Sequence, residues 1–213
     1  RNLLAWWVRR QERRALPRLD RVVYAEACYQ DLLRAREKAL LLENRFTTRA
    51  VTGKPVVVPP KAPYLLFTGT LAKEWGVFEA IELWQTWRAQ RPELQLVIAG
   101  HSQAPARLRE LRQALAAGGP ETHYTLIGGD QFVPYVDIVA LIERCHAAVG
   151  LYAPLPYLRE KLPTKFFEAL ALGRPLIYTD TPFWRQWGTA KGLGVPLLRS
   201  QVSDPEAVAQ VAA

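Results

Sequence analysis

Short apolar runs alternate with longer amphipathic runs from residue 63 to the end of the chain, and this order narrows the folds open to it. The apolar runs have little polar character on either face, as strands do when helices cover both sides of a sheet. The predicted strands are 64–67, 94–99, 122–127, 147–152, 175–178 and 195–198, and the predicted helices are 76–90, 105–116, 136–145, 164–172, 183–191 and 205–212. This alternation predicts an α/β fold with a doubly wound parallel sheet of six strands and right-handed crossovers.

The residues before this alternation follow a different pattern. A strand at 22–24, a helix at 25–38 and a strand at 39–42 are predicted, and a stretch rich in Pro and Thr follows. We expect a remnant of an amino-terminal domain at 1–44, an interdomain linker at 45–62 and the α/β domain at 63–213. The chain has no Met and opens in a helical run, so we expect it to be part of a longer polypeptide.

Positive charge is concentrated near the start of the chain. Residues 1–62 hold 14 Lys or Arg and 6 Asp or Glu, whereas residues 63–213 hold 14 of each. The segment 1–18 mixes Trp with Arg, a composition that suits anionic lipid headgroups or nucleic-acid phosphates. The alternative is a helix whose Trp face packs on an element outside this chain. We expect no nucleic-acid partner and a cytoplasmic location, with the inner face of the membrane as a candidate peripheral contact.

Several classes of site are excluded by the residues present. No apolar run has the length of a membrane span or of a signal-peptide core. Cys28 and Cys145 have no close partner in sequence, and the three His are scattered, so we expect buried free thiols and no metal site. Neither a Gly-x-Gly-x-x-Gly dinucleotide motif nor a phosphate-binding P-loop motif occurs.

Two carboxylates bracket a predicted helix start near residue 164. Glu160 precedes the helix, Glu168 lies in its second turn, and Lys165 lies between them. Carboxylates in these positions accept hydrogen bonds from ligand hydroxyls, while the free N–H groups of a first turn face an anion. The spacing therefore suits a sugar nucleotide, although spacing alone leaves open a solvated charge pair beside an ordinary amphipathic helix.

Other strand ends of the predicted sheet are expected to meet this segment. The turn 68–77 follows the first strand of the α/β domain and carries two glycines, and the turn 100–102 follows the second. Ligands of such folds bind outside the carboxyl ends of the strands. We therefore expect these turns and the segment 160–168 to form one cleft.

These segments resemble the carboxyl-terminal domain of GT-B glycosyltransferases, which is a Rossmann-like half of that fold, and most closely the retaining group known as family 4. The resemblance rests on Phe67-Thr-Gly69-Thr-Leu71, Pro92-Glu93-Leu94-Gln-Leu96, Val136, Ile142, Cys145, Glu160, Glu168-Ala-Leu-Ala, Gly173 and Pro175. It covers about residues 64–200, and its most specific element is the pair of glutamates. Residues 20–44 resemble the end of the family's amino-terminal domain.

The resemblance implies a role for each matching position. Glu160 would hold hydroxyls of the donor sugar, and Glu168 would hold the ribose hydroxyls. Amides around Leu162 and Thr164 would face the sugar and the diphosphate, and the turn at Val133 would approach the base. Glu160 and Lys165 are our candidate catalytic residues, with the others assigned to donor binding.

The chain departs from the family in the turn that begins at Gly69. The family carries Arg directly after this glycine and Lys before the next one, whereas this chain has Thr70 and Trp75. A leaving diphosphate needs positive charge to stabilise it. Lys73 and Lys165 are the available substitutes, and we favour Lys165 because it adds its charge to the helix dipole; the alternative is an exposed helix lysine.

The resemblance implies transfer of a sugar from a nucleoside-diphosphate donor, with retention and without a cofactor. The acceptor is unknown, with lipid-linked or polysaccharide acceptors as candidates. We expect this chain alone to bind donor without turnover. A non-catalytic nucleotide or polyphosphate binding module is the main alternative, and an epimerase or phosphorylase on the same fold is a further one.

Overall fold

The computed structural model describes residues 3–29, 36–47, 51–158 and 160–212, and the chain divides into two compact units. The first unit is Arg1–Arg45 and the second is Phe46–Ala213. In its described residues, the first contains one α-helix and a two-stranded sheet, whereas the second contains a six-stranded sheet covered by helices.

The described part of the first unit contains one α-helix, three 3₁₀ turns and a pair of short parallel strands. Helix α1 spans Leu3–Ala15, and strand β1, Val22–Tyr24, pairs with β2, Ala39–Leu41. None of the residues of α1 is buried. Among the described residues, no helix combines the length and apolar composition that crossing a bilayer requires.

The helix predicted at 25–38 is not continuous where the structure describes it. Single 3₁₀ turns occur at Ala27–Tyr29 and Arg36–Lys38, and residues 30–35 lie outside the described part of the chain. Lys38 Nζ donates to the carbonyls of Pro17 and Leu19 at 3.1 and 2.8 Å, which ties β2 to the chain ahead of β1.

The second unit alternates strands with helices throughout. Its elements are β3 Tyr64–Thr70, α2 Val77–Arg88, β4 Gln95–His101, α3 Pro105–Gly118, β5 Tyr124–Gly129, α4 Tyr135–Ile142, β6 Ala147–Gly150, α5 Thr164–Ala171, β7 Leu176–Thr179, α6 Pro182–Lys191, β8 Gly194–Leu197 and α7 Pro205–Ala212. The predicted α/β fold with six parallel strands is confirmed.

The strand order of the sheet reverses in its middle. The order is β5-β4-β3-β6-β7-β8, so β3 lies between β4 and β6 in the sheet. β3 pairs with β4 along its whole length, but with β6 only at Leu65↔Ala147 and Leu66↔Ala148. The two strands then part, which opens a crevice at their carboxyl ends, where ligands bind in doubly wound folds.

Two strand ends differ from the prediction in ways that matter for this crevice. β3 continues to Thr70 rather than ending at Phe67, because Thr68, Gly69 and Thr70 still pair with β4. β6 ends at Gly150 rather than at 152. Small and polar residues are weak strand signals, but pairing with a neighbouring strand overrides that local preference.

Helices pack a hydrophobic core against each face of the sheet. Trp84 of α2 lies in one core and Trp184 of α6 in the other, and both are fully buried. Each indole N–H is satisfied: Trp84 donates to the Leu94 carbonyl at 3.0 Å, and Trp184 donates to the Lys161 carbonyl at 2.7 Å. Trp184 thereby holds the segment that leads into α5.

The turn after β3 packs directly against the segment after β6. Gly76 has a φ of 85°, and a Cβ there would collide with the carbonyl of Leu151. The Ala153 N–H donates to the Glu74 carbonyl at 2.8 Å across the same contact. This contact closes one end of the crevice and requires glycine at position 76.

We predict that Gly76→Ala destabilises the fold by about 3 kcal/mol or more, because both the positive φ and the backbone collision oppose a side chain. Gly173→Ala is the matched control, since Gly173 also has a positive φ but nothing within 4 Å of the Cβ position. It should cost only about 1 kcal/mol. Urea unfolding measures both values. Equal losses of unfolding free energy in the two variants would contradict the collision with Leu151.

Candidate functional site

A cleft of about 370 Å³ lies at the carboxyl ends of β3 and β4, beside the first turns of α4 and α5. Its size is within the range of small-molecule sites in proteins. Its lining residues are Thr68, Gly69, Thr70, Trp75, Ala99, Gly100, His101, Phe132, Val133, Tyr135, Ile138, Tyr152, Thr164, Lys165 and Glu168. The cleft lies at the switch in strand order, where the fold predicts ligand binding.

Helix α5 brings a cation and an anion to the same wall of the cleft. Lys165 and Glu168 are three residues apart, a spacing that places side chains on one face of a helix. Phe166 and Ala169 point elsewhere and are fully buried in the core. Pro163 precedes the helix in extended conformation, so α5 starts abruptly at Thr164.

Lys165 is a buried lysine in an apolar, aromatic setting. The residue is 8% exposed, and Nζ lies 4.3 Å from the ring centre of Phe67 and 5.1 Å from that of Tyr152. Nζ also donates to the Val149 carbonyl at 3.4 Å. Burial lowers the pKa of Lys165 to about 7, and the charge of Glu168 opposes this shift. The charged and neutral forms are therefore close in free energy at neutral pH.

Glu168 is held by one oxygen and presents the other. Oε1 accepts a hydrogen bond from the Tyr135 hydroxyl at 2.7 Å, and no donor among the described residues contacts Oε2. Glu168 is 8% exposed. Burial, together with this hydrogen bond, raises the pKa of Tyr135, so its hydroxyl stays a donor. Oε2 is thus available to accept from a hydroxyl that enters the cleft.

Tyr135 is itself positioned through the start of α4. Asp137, which is buried, accepts from the backbone N–H groups of Val56 and Val57 at 2.6 and 3.1 Å. The Phe46 ring packs edge-on against Tyr135 with ring centres 6.4 Å apart. The predicted linker residues are therefore anchored on the helix that supplies the partner of Glu168.

The mouth of the cleft carries a stacked pair of rings. His101 and Phe132 lie 4.1 Å apart between ring centres, with 25° between their planes. Phe132 is 80% exposed, so one face of the pair is open to a planar ligand. Val133 lines the cleft next to it.

The floor of the cleft is formed by backbone, and none of the described residues there carries a positive side chain. A Cβ on Gly100 would collide with the Gly69 carbonyl, so the strands meet there without side chains. Thr70 lines the cleft, and Trp75 packs edge-on against Tyr152 with ring centres 5.4 Å apart. Among the described lining residues, Lys165 alone carries an amine or guanidinium group.

Three of the residues selected from the sequence lie outside the cleft lining. Lys73 pairs with Glu110 on the surface and is 57% exposed. Leu162 is buried in the core beneath α5, and Glu160 is exposed on the turn before that helix. The structure brings together Gly69, Thr70, Val133, Thr164, Lys165 and Glu168.

Tyr135 and Tyr152 line the cleft but were not among the residues selected from the sequence. The signal for Tyr135 was its place directly after Pro134, at the start of a helix that follows a strand end. Tyr152 follows β6 in the same manner, and burial raises its pKa. Cys145 is a buried free thiol, as predicted, whereas Cys28, which is also outside any disulfide, is only half-buried. Among the described residues, no three His, Cys, Asp or Glu could together hold a metal ion.

Comparison with known families identifies the chain. Residues 52–189, more than half of the sequence, match the family described as glycosyl transferases group 1. The chain therefore belongs to this family of glycosyltransferases. No curated protein sequence matches it.

Solved structures share the fold at low sequence identity. A UDP-forming α,α-trehalose-phosphate synthase from Burkholderia vietnamiensis matches 71% of this chain at 10% identity and a TM-score of 0.54. The pneumococcal O-GlcNAc transferase GtfA, in complex with UDP and GlcNAc, matches 92% at 16% identity and 0.59. A mutant of S. aureus TarM, in complex with UDP, Fondaparinux and α-GlcNAc-glycerol, matches 92% at 11% identity and 0.61. The chain spans only 36%, 38% and 38% of these structures, respectively.

We predict that Lys165 makes stability depend on pH. Its pKa is lowered from 10.5 to about 7, so at pH below 7 the cost of burying the charge is fully present. Between pH 7 and 10.5 the unfolded chain binds the additional proton, so the free energy of unfolding rises with pH. Relative to Lys165→Met, the wild type should gain a few kcal/mol across this range, measured by urea unfolding.

The control for this experiment is Lys191→Met, because Lys191 is exposed at the end of α6. The difference in unfolding free energy between the wild type and this control should stay constant with pH. A constant difference for Lys165→Met as well would contradict the lowered pKa.

Proposed function

We propose that this chain binds a nucleoside-diphosphate sugar in the cleft and forms the donor half of a glycosyltransferase. One observation carries the proposal: a buried lysine and a buried glutamate lie one helical turn apart on α5 and line the same cleft. A nucleoside diphosphate has matching chemistry, because it carries an anion and a pair of ribose hydroxyls. Membership of the glycosyl transferases group 1 family supports this assignment.

Lys165 is proposed to bind the diphosphate. An arriving phosphate would offset the burial that lowers the lysine pKa, so the ammonium form would be favoured in the complex. The N–H groups at the start of α5 would contribute further attraction for the anion. This arrangement would compensate for Thr70 and Trp75, which stand where the family carries Arg and Lys.

Glu168 and the ring pair are proposed to bind the nucleoside. Oε2 of Glu168 would accept from the ribose, while Tyr135 holds Oε1 in place. The base would stack on Phe132, next to Val133, at the cleft mouth. Thr164, at the start of α5, would face the phosphates. We propose uridine as the first base to test, because the GtfA and TarM structures contain UDP.

The contacts with the donor sugar and the transfer reaction are proposed from the family resemblance. Glu160, on the exposed turn before α5, would contact sugar hydroxyls. Transfer would proceed with retention and without a protein nucleophile, and a departing phosphate oxygen would take the acceptor's proton. Lys165 would stabilise the negative charge that develops on the leaving diphosphate. Acceptor binding, with a lipid-linked or polysaccharide acceptor, is assigned to sequence beyond this chain.

A non-catalytic nucleotide-binding module is the second candidate. The absence of cations at Thr70 and Trp75 favours it, since these positions leave Lys165 as the single ammonium group among the described lining residues. Such a module would bind simple nucleotides as tightly as nucleoside-diphosphate sugars, whereas a transferase would prefer the sugar nucleotide. Calorimetry with both classes of ligand separates the two candidates.

We predict that Glu168→Gln weakens UDP binding about tenfold or more, because a charge-assisted hydrogen bond to the ribose is lost. Isothermal titration calorimetry of the whole chain measures this effect. Glu93→Gln, which removes an exposed carboxylate remote from the cleft, is the matched control and should bind UDP as the wild type does.

Glu160→Gln tests the sugar contacts separately, because its effect should differ between UDP and a UDP-sugar. It should leave UDP affinity unchanged and weaken only the binding of a UDP-sugar, because its proposed contacts are with the sugar. Failure of UDP and UDP-glucose to bind the wild type, or equal affinity in Glu168→Gln, would overturn the donor assignment.

We also propose that α1 contacts an anionic membrane surface. None of its residues is buried, and Leu3, Trp6 and Trp7 are 79%, 59% and 53% exposed. Its first half is apolar and its second half carries four arginines, and Arg10 lies over the Trp6 ring at 5.4 Å. Aromatic and aliphatic side chains next to arginines match the boundary between acyl chains and anionic headgroups.

We predict binding to vesicles that contain phosphatidylglycerol and much weaker binding to phosphatidylcholine alone, because the arginines need anionic headgroups. The double variant Trp6→Ala/Trp7→Ala should bind at least tenfold more weakly in a sedimentation assay. Tyr157→Ala removes an exposed aromatic outside α1 and should bind as the wild type does. If the wild type fails to sediment with anionic vesicles, α1 is a protein-packing helix instead.

A further inference from the structure

A second pocket lies at the amino ends of the strands, on the side of the sheet opposite to the donor cleft. Its volume is about 550 Å³, and it is lined by Pro60, Lys61, Ala62, Pro63, Arg144, Cys145, His146 and Arg174. These residues directly precede β3, β6 and β7, which are neighbours in the sheet. Parallel strands all begin on one side of the sheet and end on the other. Three separate chain segments therefore converge at the amino ends of the strands, far from the carboxyl ends that form the cleft.

The pocket concentrates basic groups without an opposing carboxylate. Lys61, Arg144, His146 and Arg174 line it, and no Asp or Glu is among its lining residues. Glu143 precedes Arg144 on the chain but does not line the pocket. Cations held close together repel one another, and this repulsion is relieved when an anion binds between them.

Arg174 is held in a fixed position at the pocket. Its backbone N–H donates to the Ala169 carbonyl at 2.9 Å, directly after the end of α5. Its side-chain Nε is buried and has no hydrogen-bond partner in the part of the chain that the structure describes. Because Nε is buried, a ligand in the pocket would bind the terminal N–H groups of Arg174 rather than Nε.

Arg144, Arg174 and the buried Cys145 line the same pocket, and both guanidinium charges act on the buried Tyr64 at the start of β3. Burial raises the pKa of Cys145 to about 12, and the positive charge of Arg174 opposes that rise. Burial also raises the pKa of Tyr64, and the charges of Arg144 and Arg174 oppose it. The two arginines therefore lie within electrostatic reach of the same point at the start of β3.

We propose that this pocket binds the phosphate group of a small phosphorylated molecule. Arg144 and Arg174 would bind its oxygens with their planar N–H pairs, a geometry that suits phosphate, and Lys61 would add a third charge. Pro60 and Pro63 form an apolar wall for the remainder of the ligand. The site is independent of the donor cleft and of the reaction proposed there.

The test is a titration of the whole chain with inorganic phosphate and with glycerol 3-phosphate, followed by ¹H–¹⁵N NMR. The Arg174 Nε–H resonance reports on this pocket directly. We expect it to shift saturably with either ligand, and Arg144→Gln should weaken the fitted affinity about tenfold, since one charge-assisted contact is lost. Arg109→Gln, which removes an exposed arginine of α3, is the charge-matched control and should titrate as the wild type does.

A second variant separates this pocket from the donor cleft. Lys165→Met removes the ammonium group of the cleft and should leave the phosphate response of Arg174 unchanged. A response that is linear without saturation, or equal in Arg144→Gln and Arg109→Gln, would overturn the proposal. Loss of the response in Lys165→Met would assign the phosphate to the cleft, which also overturns it.

Discussion

The early parting of β3 from β6 is the constraint on which the candidate site depends. The two strands share only two residue pairs, and the sheet continues in opposite directions from them. The crevice that results receives the ends of β3 and β4 on one side and the start of α5 on the other. The contact of Gly76 with Leu151 keeps these two sides together, because no side chain separates the backbones there.

Within this crevice, burial gives the side chains of α5 their chemical character. An exposed lysine would be charged at all physiological pH values, but Lys165 is enclosed by Phe67, Tyr152 and its own helix. Desolvation brings its pKa close to neutrality, and the nearby Glu168 limits the shift. In the donor complex proposed above, the charge of the diphosphate would stabilise the ammonium form in place of the water that burial removed.

The predictions from the sequence succeeded where the signal was local periodicity. The six strands and six α-helices that the structure describes in the second unit were all expected, because apolar runs and amphipathic runs differ in period. They were less accurate at the ends of β3 and β6, where pairing between strands decides the boundary. The helix predicted at 25–38 appears as isolated 3₁₀ turns in its described parts, since an amphipathic pattern does not secure a helix without packing.

By itself, the sequence determined the fold class, the family resemblance and the helix that carries Lys165 and Glu168, because periodicity and residue spacing are properties of neighbouring residues. Only the tertiary structure decided which candidates meet. It placed Lys165 in the cleft and Lys73 in a surface ion pair with Glu110, although both are lysines near a helix start. It also supplied Tyr135 as the partner of Glu168, a contact between residues 33 positions apart. Burial and distance between remote segments depend on how helices pack on the sheet, and no local pattern encodes them.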